Sequence, residues 1–261
     1  DWNVSLWGNL NHNRNEILKI SDALRAYNQR VNEKYEAAEN AQGNVHLSEW
    51  GSEYSEPEMK YEEGASLTSI FAIRSLGIDP MTGNELFLYR DGSVSSLWKA
   101  TETVRVGDEE PKASGSFGVN LTYKNLTLFA SFAYDWGKQT YNQTLVDGVE
   151  NADIENSNVD RRVLTQRWQK PGDIAPLRNI KDMNTSTMPT SRFVQDDNTL
   201  TFQSLSLGYE LPDRIVQKLY LNKVRFSFNM NDVFRLSTIR QERGLSYPFS
   251  RGYSFSLNIG I

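Results

Sequence analysis

Catalysis by side chains needs a nucleophile, a base and an acid within reach of one another, and this sequence supplies little of that material. It has two histidines, His12 and His46, and no cysteine. Both histidines lie in polar stretches, and no serine is framed by the glycines that raise a nucleophile onto a sharp strand-to-helix turn. Glu62-Glu63 or Glu109-Glu110 could be drawn as the two carboxylates of a glycosidase. Neighbouring carboxylates in loops are ordinarily just solvated, however. Without cysteine, disulfides, zinc–thiolate sites and thiol nucleophiles are excluded together. The chain therefore reads as a non-enzyme.

Two other groups could bind rather than react. Asp147, Glu150, Asp153, Glu155, Asn156 and Asp160 place hard oxygen donors of the kind calcium prefers along one stretch. Their spacing does not match an EF-hand loop, and an acidic surface loop needs no ion to explain it. No metal or other cofactor is expected. The second group is aromatic. Trp50, Tyr54, Trp98 and Trp168 fall in polar connections, where they could stack on sugar rings or bury against a protein lid, although packing within the loops is the simpler role. Trp50, Tyr54 and Trp98 are retained as possible substrate or lid contacts. Trp168 reads as structural, because Pro171-Gly172 fixes a turn just after it.

The elements that would carry these loops are strands. In Arg251 to Ile261, the residues Tyr253, Phe255, Leu257, Ile259 and Ile261 share one parity, and Ser254, Ser256, Asn258 and Gly260 share the other. That is the period of a strand whose faces meet different solvents. Trp2, Val4, Leu6, Gly8 and Leu10 alternate in the same way with Asn3, Ser5, Trp7, Asn9 and Asn11. Phe117 to Tyr123 and Leu126 to Trp136 form the clearest hairpin, turning at Lys124-Asn125. Leu200 to Leu211 changes parity near Gln203-Ser204, which predicts a bulge, and Val224 to Met230 alternates again after a turn over Pro212 to Asn222.

Between these strands lie long polar connections. Glu16 to Ala38 is helical in composition, and Glu39 to Tyr61 is loop-like. Leu67 to Gly77 and Glu85 to Tyr89 read as the arms of a hairpin around a turn at Ile78 to Asn84. The second arm is too short to cross a bilayer. Val159 to Trp168 predicts a short helix. Long and short connections alternate, as they do in an outer-membrane barrel. This predicts an even number of crossings between the first strand and Phe117, none in preference to two, and so six membrane strands in preference to eight, with the first running outward and the last ending on the periplasmic side.

Composition agrees. The chain is 38% hydrophobic with a mean hydropathy of -0.57, and no run of apolar residues is long enough for a membrane helix. Alternating strands hide their apolar face from such averages, so a barrel is not excluded. Aromatic content is 11% and net charge is -5 without a basic block, so no nucleic-acid partner is expected. The sequence opens already alternating, as a segment of a larger protein would.

Several stretches together resemble the C-terminal part of the SusC/RagA family of TonB-linked outer-membrane proteins of Bacteroidetes. They are Glu63 to Gly92 (EGASLTSIFAIRSLGIDPMTGNELFLYRDG), Pro111 to Asn142, Arg161 to Asp173 (RRVLTQRWQKPGD), Ser191 to Pro212 and Val224 to Ser237 (VRFSFNMNDVFRLS). They occur in family order and cover more than half of the chain. The resemblance implies an all-β fold, the C-terminal segment of a 22-stranded antiparallel transmembrane barrel with long extracellular loops. The plug and the N-terminal strands would lie outside residues 1–261. It also implies import of oligosaccharides or peptides across the bacterial cell outer membrane, with a SusD-like lipoprotein as a lid and TonB engaged through the N-terminal part. Two other readings stay open at this point, a soluble β-rich glycan-binding module and a passive porin.

Overall fold

The computed structural model describes residues 2–41, 54–154, 158–179, 186–240 and 251–260. In chain order its main elements are β1 (Trp2–Asn11), helix α1 (Asp22–Ala41), β2 (Ser69–Ala72), β3 (Arg74–Ile78), β4 (Glu85–Leu88), β5 (Val94–Ser95), β6 (Val104–Asp108), β7 (Ala113–Tyr123) and β8 (Leu126–Trp136). The second half contributes β9 (Gln139–Tyr141), β10 (Val194–Asp196), β11 (Thr199–Glu210), β12 (Lys223–Ser237) and β13 (Tyr253–Gly260).

Six of the strands form one antiparallel sheet in the order β1-β7-β8-β11-β12-β13. The first strand pairs directly with β7, so no strand of this sheet intervenes, as expected. β7 and β8 are 11 residues each, about what a tilted strand needs to cross the hydrocarbon core. The predicted bulge is present as a register shift between Phe202 and Ser204, felt by both neighbouring strands. On β12 the irregularity is taken up at Asp232, whose φ is 50°. The sheet has six strands and does not close on itself.

Register converts the alternation of each strand into two continuous faces. One face carries rows such as Val4, Leu121, Leu128, Leu207, Phe228 and Phe255. A stacked aromatic ladder crosses the same face. Phe117 lies 5.0 Å from Phe132, and Phe132 lies 4.4 Å from Phe202. At one end Trp2 stacks on Tyr123 at 4.1 Å, with Tyr209 nearby in register; at the other stand Tyr134 and Trp136. Leu6 is 77% and Phe255 76% exposed. An apolar area of this extent is not left facing water by a soluble protein, whereas lipid bounded by aromatic girdles suits it. The opposite face is polar and small.

All three long connections leave one end of the sheet. The other end holds the Lys124-Asn125 turn, where Lys124 adopts φ 50°, and the 211–222 connection, which contains helical turns at Asp213–Val216 and Gln217–Leu219. With the long connections taken as extracellular, β1 runs outward and β13 inward.

The first two long connections pack into a module above the sheet. Helix α1 begins at Asp22, not Glu16. Ile17 exchanges backbone hydrogen bonds with Ala65 and Gly64 instead, and the Ser21 hydroxyl accepts the Leu24 N–H at 3.3 Å as an N-cap. Leu67 to Gly77 is not one strand. β2 pairs with β6 and β3 with β4, and the switch falls at Ile73, which the 189–191 backbone grips from outside. The hairpin around Ile78 to Asn84 forms as expected and gains β5 as a third strand. The helix expected over Val159 to Trp168 is a single turn at Arg162–Thr165, because Arg167 bends away to bridge with Leu177.

Candidate functional site

The module over the sheet is held by a buried charge cluster joining the first long connection to the second. The Arg192 Nη2 donates to Glu85 Oε2 at 2.8 Å and to Glu150 Oε1 at 2.5 Å. The three side chains are 11%, 5% and 0% exposed. Nη1 donates to the Pro176 carbonyl at 2.6 Å, and the Thr190 hydroxyl donates to Glu85 Oε1 at 2.6 Å. Burial alone would lower the Arg192 pKa, but Glu85 and Glu150 outweigh it and raise the pKa above its ordinary value. Arg167, also buried, donates to the carbonyls of Val149, Glu150 and Arg178, and burial lowers its pKa.

Around this cluster the module has an ordinary apolar core. Val31, Tyr35 and Ala38 of α1 meet Ile73, Phe87, Trp98 and Met188. The Tyr35 hydroxyl donates to the Glu56 carbonyl at 2.6 Å and accepts the Glu58 N–H at 2.9 Å; burial raises its pKa. Lys60 reaches Asn32 Oδ1 and Thr103 Oγ1, both at 2.5 Å. Desolvation, helped by Arg90, lowers the Lys60 pKa to about 8.

The aromatic positions singled out in the sequence divide. Trp98 is 8% exposed, and its indole N–H donates to the Pro189 carbonyl at 2.9 Å. A ligand could stack on it only by displacing the module's own core. Tyr54 is half-buried at the edge of that core, with the Lys34 ammonium 5.4 Å from its ring centroid. Trp50 lies outside the described residues. Trp168 is buried, with its indole N–H donated to the Pro80 carbonyl at 2.8 Å.

Among the described residues the acidic stretch does not assemble a calcium cage. Glu150 belongs to the buried cluster, Asp147 accepts from Ser55 and Gln143, and Asp160 grips Arg162 through both oxygens. Glu155 and Asn156 lie outside the described residues. Among the described residues no three His, Cys, Asp or Glu side chains come together as a metal site. His12 Nδ1 sits 2.5 Å from the Lys112 carbonyl, and His46 lies outside the described residues. Of the paired carboxylates, Glu110 accepts from Asn13 and Glu63 from the Ile20 N–H. The cluster at Arg192 was not read from the sequence. One signal for it existed, since Glu85 shares strand parity with the core residue Phe87 and therefore points inward.

The polar face of the sheet is the other candidate surface. Ser131 and Ser204 share a hydrogen bond at 2.8 Å, and the Ser206 hydroxyl donates to Asn229 Oδ1 at 2.7 Å. Charges stand at its ends, with Lys223 3.2 Å from Glu210 at one and Arg235 3.6 Å from Asp197 at the other.

A two-faced antiparallel sheet with aromatic girdles and a capping module defines the wall of an outer-membrane β-protein. Comparison with known proteins gives the particular kind. No family model matches the sequence. Over 153 residues the chain is 28% identical to TonB-dependent receptor P3 of Formosa agariphila, covering 58% of this chain and 14% of that relative. Its fold is similar to that of the RagAB peptide transporter, with a TM-score of 0.65 at 20% identity over 92% of this chain and 24% of the other. The RagAB peptide importer in its 'open-open' state gives 0.64 at 20% identity, over 94% and 24%. The chain thus spans about a quarter of those structures and a smaller share of the receptor. It is similar in sequence to a TonB-dependent receptor and in fold to the RagAB transporter, which points to the bacterial outer membrane.

Proposed function

We propose that residues 1–261 are the C-terminal part of a SusC-like TonB-dependent transporter whose complete barrel has 22 strands. The whole protein imports oligosaccharides or peptides with a SusD-like lipoprotein as its extracellular lid and TonB as its energy source. The observation that carries this reading is the sheet itself. Its apolar face suits lipid, and the outer edges of β1 and β13 are unpaired within the sheet. Unpaired backbone groups are costly in hydrocarbon, so both edges call for further strands. In this reading Trp50 and Tyr54 are positions for substrate or lid contact, while Trp98 belongs to the core against which Tyr54 packs.

The full-length protein provides the test. It should require detergent for extraction, shift its gel mobility on boiling, and co-purify with a lipoprotein; uptake should stop when TonB is deleted. Release into buffer without detergent, with no heat-dependent shift, would instead indicate a soluble glycan-binding module. Uptake that persists without TonB would indicate a passive porin.

A further inference from the structure

We propose that the connection over residues 211–222 is a membrane-interface anchor that seats Ile215 and Tyr220 in the phospholipid headgroup layer of the periplasmic leaflet. The inference rests on lipid covering the apolar face of the sheet. Its first support is a gap in the exposure of that face. Phe226 and Ile259 stand open at 47% and 54%, yet Val224, which shares their face and pairs with Ile259, is only 5% exposed. The element lying against β12 here is the helical turn Asp213–Val216, and its own Val216 is 2% exposed. The Leu211 N–H bonds to the Val224 carbonyl at 2.9 Å, which brings the turn back beside the strand. The connection is therefore folded over the apolar face, one row beyond the row of Trp2, Tyr123, Tyr209 and Phe226.

The residues that this turn leaves open suit that level of a bilayer. Ile215 is 46% and Tyr220 94% exposed. Tyr220 also holds φ 57°, in the left-handed region where a side chain costs free energy and glycine is the usual occupant of a helix end. At that exposure the ring gains almost nothing from the fold in return. A membrane–water interface supplies the gain, because it accepts an apolar ring with a polar tip.

Charge agrees with phospholipid as the occupant. Arg214 and Lys218 are exposed on the same connection, and the Lys124 ammonium of the neighbouring short turn stands 5.2 Å over the Tyr123 ring. Long basic side chains can lay their stems along apolar surface and still reach phosphate. The carboxylates beside them are Asp213, which opens the helical turn, and Glu210, which is 3.2 Å from Lys223. Two apolar tips among such charges are too small for a stable protein interface, which takes about 800 Å² from each partner.

The experiment places single nitroxide labels on the full-length protein through Ile215→Cys, Tyr220→Cys, Phe255→Cys and Ile174→Cys, with any other cysteine replaced. The protein is reconstituted in vesicles of phosphatidylethanolamine and phosphatidylglycerol, and each variant must keep the heat-dependent gel shift. Collisions with oxygen, which concentrates in lipid, are compared with collisions with a water-soluble nickel chelate. The labels at positions 215 and 220 should favour oxygen and lie within about 5–10 Å of the headgroup–acyl boundary. Position 255 should lie deeper, and position 174, 95% exposed on the module, should favour nickel. Nickel access at 215 and 220 equal to that at 174 would show that the connection stands in water and overturn the inference. Exclusion of both reagents from 215 and 220 would show that protein covers the turn and overturn it as well. Nickel access at 255 would remove the lipid assignment of the sheet itself, and the inference would fall with it.

Discussion

Replacing Arg192 by methionine should loosen the two extracellular connections from each other without disturbing the sheet. The substitution keeps most of the side-chain volume, so the effect is electrostatic. Removing one partner of a buried ion pair costs about 3–5 kcal/mol, because the remaining charge stays desolvated. Here two carboxylates would be left, Glu85 and Glu150, 5% and 0% exposed. Each keeps some support, Glu85 from the Thr190 hydroxyl and Glu150 from Arg178 at 3.7 Å. That support argues for the lower end, about 3 kcal/mol, or roughly a hundredfold more local opening. Hydrogen exchange on the full-length protein in detergent can resolve this. Protection should fall in Glu85–Leu88 and Val146–Glu150 but hold in β7 and β8. Adding Glu85→Gln removes one orphaned charge and should recover about half of the loss. A change below threefold in those two segments, or an equal loss in the strands, would refute the view that Arg192 acts as a local clamp.

Three further outcomes follow from the same geometry. Gly83 has φ +76°, and a Cβ there would meet the Trp168 ring at 2.5 Å, so Gly83→Ala should cost about 2–4 kcal/mol in docking of the Trp168 turn, read as a loss of hydrogen-exchange protection around Leu177. Phe132→Arg, on the apolar face, should destabilise the barrel by about 2–4 kcal/mol in urea unfolding, whereas Ser131→Arg, its neighbour on the polar face, should cost clearly less; similar costs at both would contradict the assignment of faces. The module should also respond to alkali. The lowered pKa of Lys60 means that its unfolded state binds more protons above about pH 8, so stability rises from there toward pH 10. Beyond pH 10 the raised pKa of Tyr35 reverses the trend, since only the unfolded phenol ionises. Residues 1–261 have no cysteine, so an Ala38→Cys thiol, with any cysteine elsewhere in the full-length protein replaced, can report opening of α1 by its labelling rate, corrected for thiol ionisation. Lys60→Met should flatten the first limb.

The sheet could be read from the sequence, whereas of the module above it only the Ile78 to Asn84 hairpin and most of α1 could, and its packing could not, for a physical reason. A strand between lipid and a wet lumen has its solvent written into every second residue, so Tyr253 to Gly260 and Phe117 to Trp136 declare both period and face. Even the bulge at Gln203 shows, because a parity change has no other cheap explanation. In the module each element is short and its partners are far away in sequence. Ile73 is held by the backbone at 189–191, Trp98 donates to Pro189, and Glu85 waits for Arg192. No local period encodes such pairings. The errors follow the same line. Residues 16–20 have helical composition, but Ile17 finds better backbone partners in Gly64 and Ala65, and Ser21 supplies the cap where the helix can start. Glu150 could be weighed in the sequence only with its acidic neighbours, because the guanidinium that neutralises it stands 42 residues away. The same logic separates Trp7 from the other aromatics. It is the one bulky side chain on the polar parity of the first strand, and the glycine that makes room for it lies on a strand more than a hundred residues later. Sequence alternation marked it as an exception, and only register could show that the exception is accommodated.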